Sequence, residues 1–185
     1  AEGLVDVNDL KPLLGDDIAG MMMTNPNTLG LFEKDIPEIA KLIHDCGGLL
    51  YYDGANLNPL LGAASPGDMG FDVMHINIHK TFSTPHGGGG PGGGPVGVRA
   101  DLVEFLPKPH VVKTDAGFGL DLPETTAEYN LNNMHVGQFM GNFLVSLRAY
   151  TYILTLGKEN LKMIGPYATL NANYIKEGLK DDYAL

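Results

Sequence analysis

Short apolar segments that end abruptly in polar residues constrain the fold of this chain more than any other feature. Four such segments are too short for core helices and are typical of β-strands: residues 18–24, 49–52, 71–78 and 95–99. The first ends in an Asn-Pro-Asn turn, and the fourth follows a glycine-rich run. With a helix predicted between the first two, they indicate an α/β fold with a mostly parallel sheet and flanking helices.

The helix between the first two strands has the clearest periodicity in the chain. Its apolar residues recur at i, i+3, i+4 and i+7, the spacing of one helical face: Ile36, Ile39, Ala40 and Ile43. We predict a helix from Asp35 to Cys46 that ends at Gly47-Gly48, because glycine adopts the backbone conformation that closes a helix. After Pro109 the pattern is irregular, and two or more helices are predicted between Met134 and Lys180.

Three polar side chains come directly after predicted strands: Asn25, Asp53 and Lys80. Parallel strands end at the same edge of a sheet, and ligands of open parallel sheets bind beyond that edge. If the three strands are parallel neighbours, these side chains converge. The sequence therefore predicts a functional site there.

The chemistry of Lys80 and Asp53 suits an aldehyde-bearing aromatic cofactor. A desolvated lysine offers a free amine that forms an imine with an aldehyde. A carboxylate beside a pyridine nitrogen keeps that nitrogen protonated, which makes the ring an electron sink. Each residue also has a plainer interpretation, because Lys80 could be a surface lysine and Asp53 could cap the turn that begins at Gly54.

A glycine-rich run follows the lysine closely, from His86 to Pro95. Glycine lets a backbone approach a ligand and turn its N–H groups toward an anion. The run is not a nucleotide-binding P-loop, because no Gly-Lys-Ser/Thr follows it, and it lacks the helix and later acidic residue of a dinucleotide site. We interpret it as shaping a cofactor pocket and its entrance rather than as a linker.

The histidines near the lysine allow a metal site as an alternative. His75 and His79 are four apart, and His86 and Asp72 lie nearby. On a strand, however, residues four apart stand farther from one another than on a helix. We therefore predict no metal, and we interpret His79 as a contact for a cofactor phosphate and His75 as a core histidine.

Charge and composition exclude several classes of function. The net charge of −10 repels nucleic-acid backbones and anionic lipid. The apolar stretch from Met134 to Leu156 is long enough to cross a membrane but contains Arg148, so we predict a long, mostly buried helix. Cys46 is the only cysteine, which excludes an intramolecular disulfide and favours a reducing compartment.

The central part of the chain resembles a known family. The stretch DGANLNPLLGAASPGDMGFDVMHINIHKTFSTPHGGGGPGGGPVGV, Asp53 to Val98, is similar to the pyridoxal-phosphate (PLP) glycine decarboxylase, the P-protein of the glycine cleavage system. The resemblance extends to TNPNTLGLFE, Thr24 to Glu33, and to GNFLVSLRAYTYILTLG, Gly141 to Gly157. It is closest to the smaller, C-terminal-half subunit (subunit 2) of organisms that split the enzyme into two chains.

The resemblance implies a fold type I large domain, as in aspartate aminotransferase, and a role for each matching residue. Lys80 would be the Schiff-base lysine, Asp53 would face the pyridine nitrogen, and Ala55 would pack on one ring face. By analogy within the fold type, Asn25 or Thr28 would lie near the ring hydroxyl. His79 would lie near the phosphate.

The resemblance also implies a reaction and its partners. Glycine would lose CO2, and its aminomethyl group would pass to the lipoyl arm of the carrier H-protein, next to a partner subunit 1 and within an oligomer. The expected location is the cytoplasm, or the mitochondrion in a eukaryote. The alternatives are another fold type I PLP enzyme, either an amino-acid decarboxylase or an aldolase, and a non-catalytic domain of this fold.

The resemblance also predicts that the chain is incomplete. The family's large domain has an upstream part carrying the ring-stacking residue, and none of that part precedes Ala1. We expect residues 1–133 to be part of the PLP-binding large domain and residues 134–185 to be a helical segment leading into a truncated small domain.

Overall fold

The computed structural model describes residues 2–86, 92–121 and 141–183, and its centre is a four-stranded sheet. Strands β1 (Gly20–Met23), β2 (Leu49–Gly54) and β3 (Val73–Ile76) run parallel, in that spatial order. Strand β4 (Val96–Val98) is antiparallel to β3 at the edge. The sheet predicted from the apolar segments is therefore confirmed; β1, β3 and β4 are shorter than their segments, and β2 is two residues longer.

The remaining described elements are helices and one hairpin. They are α1 (Val7–Leu10), α2 (Ile36–Asp45), α3 (Ile78–Thr81), the hairpin strands β5 (His110–Thr114) and β6 (Gly117–Asp121), α4 (Phe143–Leu161) and α5 (Ile164–Leu179). Short 3-10 turns occupy Lys11–Leu13, Asn58–Leu60 and Ala100–Phe105.

The main core forms where α2 packs on the sheet. All four predicted face residues of α2 are buried, and Ile39 is 0% exposed. They meet Leu50 and Tyr52 of β2, which are also 0% exposed. Burying each large apolar side chain stabilises the fold by about 1.5–3 kcal/mol. The helix ends at Asp45, one residue before its predicted end, and Gly47 follows it with a positive φ of 83° that suits glycine.

A buried carboxylate, Asp72, connects the sheet to α2. Its side chain is 2% exposed and accepts a hydrogen bond from the Leu50 backbone N–H at 2.7 Å. The His44 Nε2 of α2 lies 2.8 Å from it, and the Arg99 guanidinium pairs with its other oxygen. One side chain thus links α2, β2 and the end of β4.

Replacing Asp72 with alanine should lower the free energy of unfolding by about 3 kcal/mol, because a buried N–H, the His44 imidazole and the Arg99 guanidinium lose their partner. Urea denaturation of the complete protein measures the change. Asp101→Ala is the matched control, since Asp101 also pairs with Arg99 but its side chain is 58% exposed, and a loss of less than about 1 kcal/mol is expected. Equal losses in the two variants would show that Asp72 is not the connecting group.

One sequence-based expectation on the chain beyond Pro109 is wrong. The segment after this proline is not irregular, because β5 and β6 pair from His110 to Asp121. The hairpin carries little apolar periodicity, and Phe118 is 82% exposed, so no hydrophobic pattern in the sequence indicated it. The rest of the supposedly irregular segment and the expected domain boundary at residue 133/134 lie outside the described residues, so the two-domain division stays a prediction.

The long apolar helix is present but less buried than predicted. Helix α4 begins at Phe143, capped by the Asn142 side chain, and residues 134–140 of the predicted helix lie outside the described residues. In α4 only Val145 and Ala149 are buried, against Ile78 of α3. The helical prediction is confirmed and the mostly buried one is wrong. Within the described ranges, no helix has both the length and the hydropathy needed to cross a membrane.

Candidate active site

The loops at the carboxyl ends of the three parallel strands are tied together by hydrogen bonds. The Asn56 side chain, after β2, donates to the Pro26 carbonyl after β1 at 3.0 Å. Also after β2, Asn58 accepts from the Thr81 hydroxyl of α3 at 2.7 Å. The loops that follow the three parallel strands therefore lie together at one edge of the sheet, and the convergence of the Asn25, Asp53 and Lys80 side chains stays a prediction.

The Asp53 carboxylate is held by one of its two oxygens. Oδ1 accepts a 2.9 Å hydrogen bond from the Ala55 backbone N–H, and Nε2 of His75 lies 3.2 Å from the same oxygen. Within the described ranges, no hydrogen bond reaches Oδ2. Since the Asp53 side chain is 29% exposed, the second oxygen can accept a proton donor from a ligand.

Sequence analysis missed the surroundings of Asp53. His75, interpreted above as a core histidine, has a side chain 23% exposed and contacts both Asp53 and the Tyr51 hydroxyl. The available signal was strand alternation, because Tyr51 and Asp53 are two apart and so lie on one face of β2. The register that pairs Asp53 with His75 across β2 and β3 was needed to complete the group.

The negative charge of Asp53 acts on both neighbouring tyrosines. Burial first, and the Asp53 charge second, raise the pKa of Tyr52 to about 12. The same two causes, in the same order, raise the pKa of Tyr51. Both phenols therefore keep their protons at neutral pH, and Tyr52 donates to the Asn25 carbonyl at 2.9 Å.

Lys80 lies on the one-turn helix α3 and not at the end of a strand. Strand β3 stops at Ile76, and α3 begins two residues later, which places the Lys80 side chain in an exposed position. The expectation of a desolvated strand-end lysine is therefore wrong for the described part of the chain. In that part its ammonium group makes no ion pair, which leaves the amine available to a ligand.

His79 carries a buried polar atom without a partner. Its Nδ1 has no hydrogen-bond partner among the described residues, and its ring meets the His86 ring edge-on at 4.6 Å. Desolvation, followed by the charges of His86 and Lys80, lowers the pKa of His79 below its ordinary 6.5. Since the fold disfavours the imidazolium, protonating His79 costs stability as the pH falls below 6.5.

We expect His79 to titrate below pH 6.5 in the protein without ligand and at higher pH once PLP is bound. A phosphate supplies the negative charge that the site lacks, and a nearby anion favours the imidazolium. NMR titration of labelled histidine gives both values, and His79→Gln assigns the signal. If the titration of His79 does not change on adding PLP, His79 does not contact the phosphate.

The structure says less about the other three residues that were predicted to contact a cofactor. Asn25 is 0% exposed, and its amide group accepts from the Glu33 N–H at 2.8 Å, so it closes the loop after β1. Thr28 is exposed in that loop, next to Asn27. Ala55 is half-buried beside Asp53. The roles proposed for these three residues toward a cofactor ring stay predictions.

The arrangement fits PLP rather than a metal. Oδ2 of Asp53 suits a pyridinium, the unpaired Lys80 amine suits an aldehyde, and Nδ1 of His79 suits a phosphate. Gly54 keeps the strands close there, since a Cβ on it would lie 1.9 Å from the His75 carbonyl oxygen. No cluster of three His, Cys, Asp or Glu side chains with metal-binding geometry occurs within 2–86, 92–121 or 141–183.

The chain is homologous over nearly its whole length to curated proteins named probable glycine dehydrogenase (decarboxylating) subunit 2. It is 57% identical over 182 residues to the one from Caldanaerobacter subterraneus, covering 98% of this chain and 36% of that protein. It is 55% identical over 186 residues to the one from Oceanobacillus iheyensis, covering 100% and 37%. The chain thus spans little more than a third of the relatives' length. No family model matches it.

Solved structures show the fold. A cysteine desulfurase from Thermococcus onnurineus superposes with a TM-score of 0.60 at 16% identity, over 97% of this chain and 42% of that one. An alanine–glyoxylate aminotransferase from Nostoc gives a TM-score of 0.54 at 17% identity, over 96% and 45%. The fold type I large-domain architecture implied by the sequence resemblance is confirmed.

Proposed function

We propose that this chain is the cofactor-binding part of a PLP-dependent glycine decarboxylase, an oxidoreductase of the glycine cleavage system that passes an aminomethyl group to a lipoylated carrier protein. The observation that carries the proposal is the 57% identity over 98% of the chain to the glycine dehydrogenase subunit. The availability of Asp53 Oδ2 and the Lys80 amine at one sheet edge supports it.

Each residue of the site has a defined task in this proposal. Lys80 would hold the cofactor aldehyde through its amine, and Oδ2 of Asp53 would accept a hydrogen bond from the pyridinium N–H, which keeps that nitrogen protonated. His79 donates to the phosphate through Nδ1, and Ala55 lies against the ring. When bound, PLP supplies an electron-withdrawing ring that stabilises the negative charge left on the substrate carbon as CO2 departs.

The proposal includes partners and a location. Glycine is the substrate, the lipoylated H-protein receives the aminomethyl group, and a subunit 1 with further copies completes an oligomer. The sequence-based expectation that the run from His86 to Pro95 borders an entrance falls on residues 87–91, which lie outside the described ranges. The bacterial relatives and the free thiol of Cys46 support a cytoplasmic location.

The exchange of labelled bicarbonate into the glycine carboxyl group tests the proposed function. The complete protein, with subunit 1, PLP and lipoylated carrier, should catalyse exchange, and unlipoylated carrier is the matched control. Residues 1–185 alone should give none, because they span 36% of the relatives' length and a cofactor must be held on all sides. Exchange into another amino acid but not into glycine would contradict the proposal that glycine is the substrate.

A further inference from the structure

We propose that His75 is a positioning residue for Asp53, held by Tyr51 in the neutral tautomer whose proton lies on Nε2. This inference rests on the proposed function, since it concerns the carboxylate that would meet the pyridinium. It assigns a role to two side chains that do not themselves touch the cofactor.

The strand register brings the three groups together. Asp53 and His75 are direct partners across the parallel strands β2 and β3, and Tyr51 is two residues before Asp53 on the same face of β2. The Tyr51 hydroxyl lies 2.9 Å from His75 Nδ1, and His75 Nε2 lies 3.2 Å from Asp53 Oδ1. The imidazole therefore sits between a phenol and a carboxylate.

The carboxylate and the phenol together determine which imidazole nitrogen carries the proton. The Asp53 carboxylate can only accept, so the nitrogen 3.2 Å from it, Nε2, carries a proton. The Tyr51 hydroxyl then donates to Nδ1, 2.9 Å away, which is left without a proton.

As a consequence, one oxygen of the Asp53 carboxylate has contacts within the protein, and the other is available to a ligand. Oδ1 receives the Ala55 N–H and faces Nε2 of His75, so its two neighbours restrict rotation of the Asp53 side chain. The second oxygen, Oδ2, has no hydrogen bond among the described residues and is left for the ligand. Contacts of this kind commonly tighten when a ligand binds.

Solid-state ¹⁵N NMR of the complete protein tests the inference in two steps. Without PLP, histidine-labelled protein should show His75 with bare Nδ1 and protonated Nε2, and Tyr51→Phe should weaken that preference. The control Tyr174→Phe, at a tyrosine 81% exposed, should leave it unchanged. A protonated Nδ1 in the wild-type protein would overturn the proposal whether or not the protein binds PLP.

The second step uses PLP labelled with ¹⁵N at the ring nitrogen. His75→Leu should move that signal from the protonated toward the neutral position and lower glycine exchange on the order of tenfold, with the glycine KM changed less than about twofold. His75→Gln, whose amide can donate to Oδ1, should restore both. An unchanged ring signal in His75→Leu and Tyr51→Phe would overturn the positioning role. A wild-type protein that binds no PLP would overturn the proposed function, and with it the role of His75 toward the cofactor, while the tautomer result stands on its own.

Discussion

Replacing Lys80 with alanine is expected to lower glycine exchange by a factor on the order of a thousand or more, because the group that bonds to the cofactor aldehyde is lost. The fold should tolerate the change. The side chain is exposed on α3, and its backbone carbonyl, which the Asn58 amide approaches at 3.5 Å, remains in place. An exposed substitution of this kind changes stability by about 0.5 kcal/mol or less.

The measurement is the bicarbonate exchange rate, combined with the visible absorbance of protein-bound PLP. Lys158→Ala is the matched control, because Lys158 is exposed on α4 and makes no ion pair among the described residues. It should retain both exchange and absorbance. A Lys80→Ala protein with near wild-type exchange would place the cofactor lysine elsewhere.

Replacing Asp53 with asparagine should lower exchange on the order of a hundredfold or more, although PLP still binds. Asparagine keeps the size of the side chain and an oxygen for the Ala55 N–H. It removes the negative charge, so the pyridine nitrogen loses the partner that favours its protonated form. The variant therefore separates charge from packing.

Steady-state exchange rates at saturating PLP measure the effect, and Asp101→Asn on the surface is the control. The pKa of Tyr51 gives an independent sign that the charge is gone, since it should fall once only burial raises it. Near-normal exchange in Asp53→Asn would show that another group faces the pyridine nitrogen.

The sheet and α2 could be predicted because their signals are local. The apolar segments of β1, β2 and β3 are short and end in polar residues, and the face of α2 repeats with helical spacing. These patterns follow from burial on a sheet and on one helical face. They also predicted that the loops after these strands meet at one edge of the sheet, which the parallel pairing and the hydrogen bonds between the loops confirm.

The predictions that failed concern features that depend on short elements or on residues distant in sequence. A one-turn helix such as α3 has too few residues to show a period, so Lys80 was expected one element too early. The pairing of Asp53 with His75 depends on strand register, which no short segment specifies. The apolar composition of α4 predicted that the helix is buried, but it did not show what buries it. Phe143 is 74% exposed, and an exposed apolar helix face is typical of a surface that contacts other protein.

Borohydride reduction of the PLP-bound complete protein tests the central claim most directly. Reduction makes the bond between PLP and its lysine permanent, and fragmentation mass spectrometry of the digested protein then identifies that lysine. We predict a single modified residue, Lys80, with no label in Lys80→Ala. A label on Lys158 or Lys176 with Lys80 unmodified would contradict the assignment of the site.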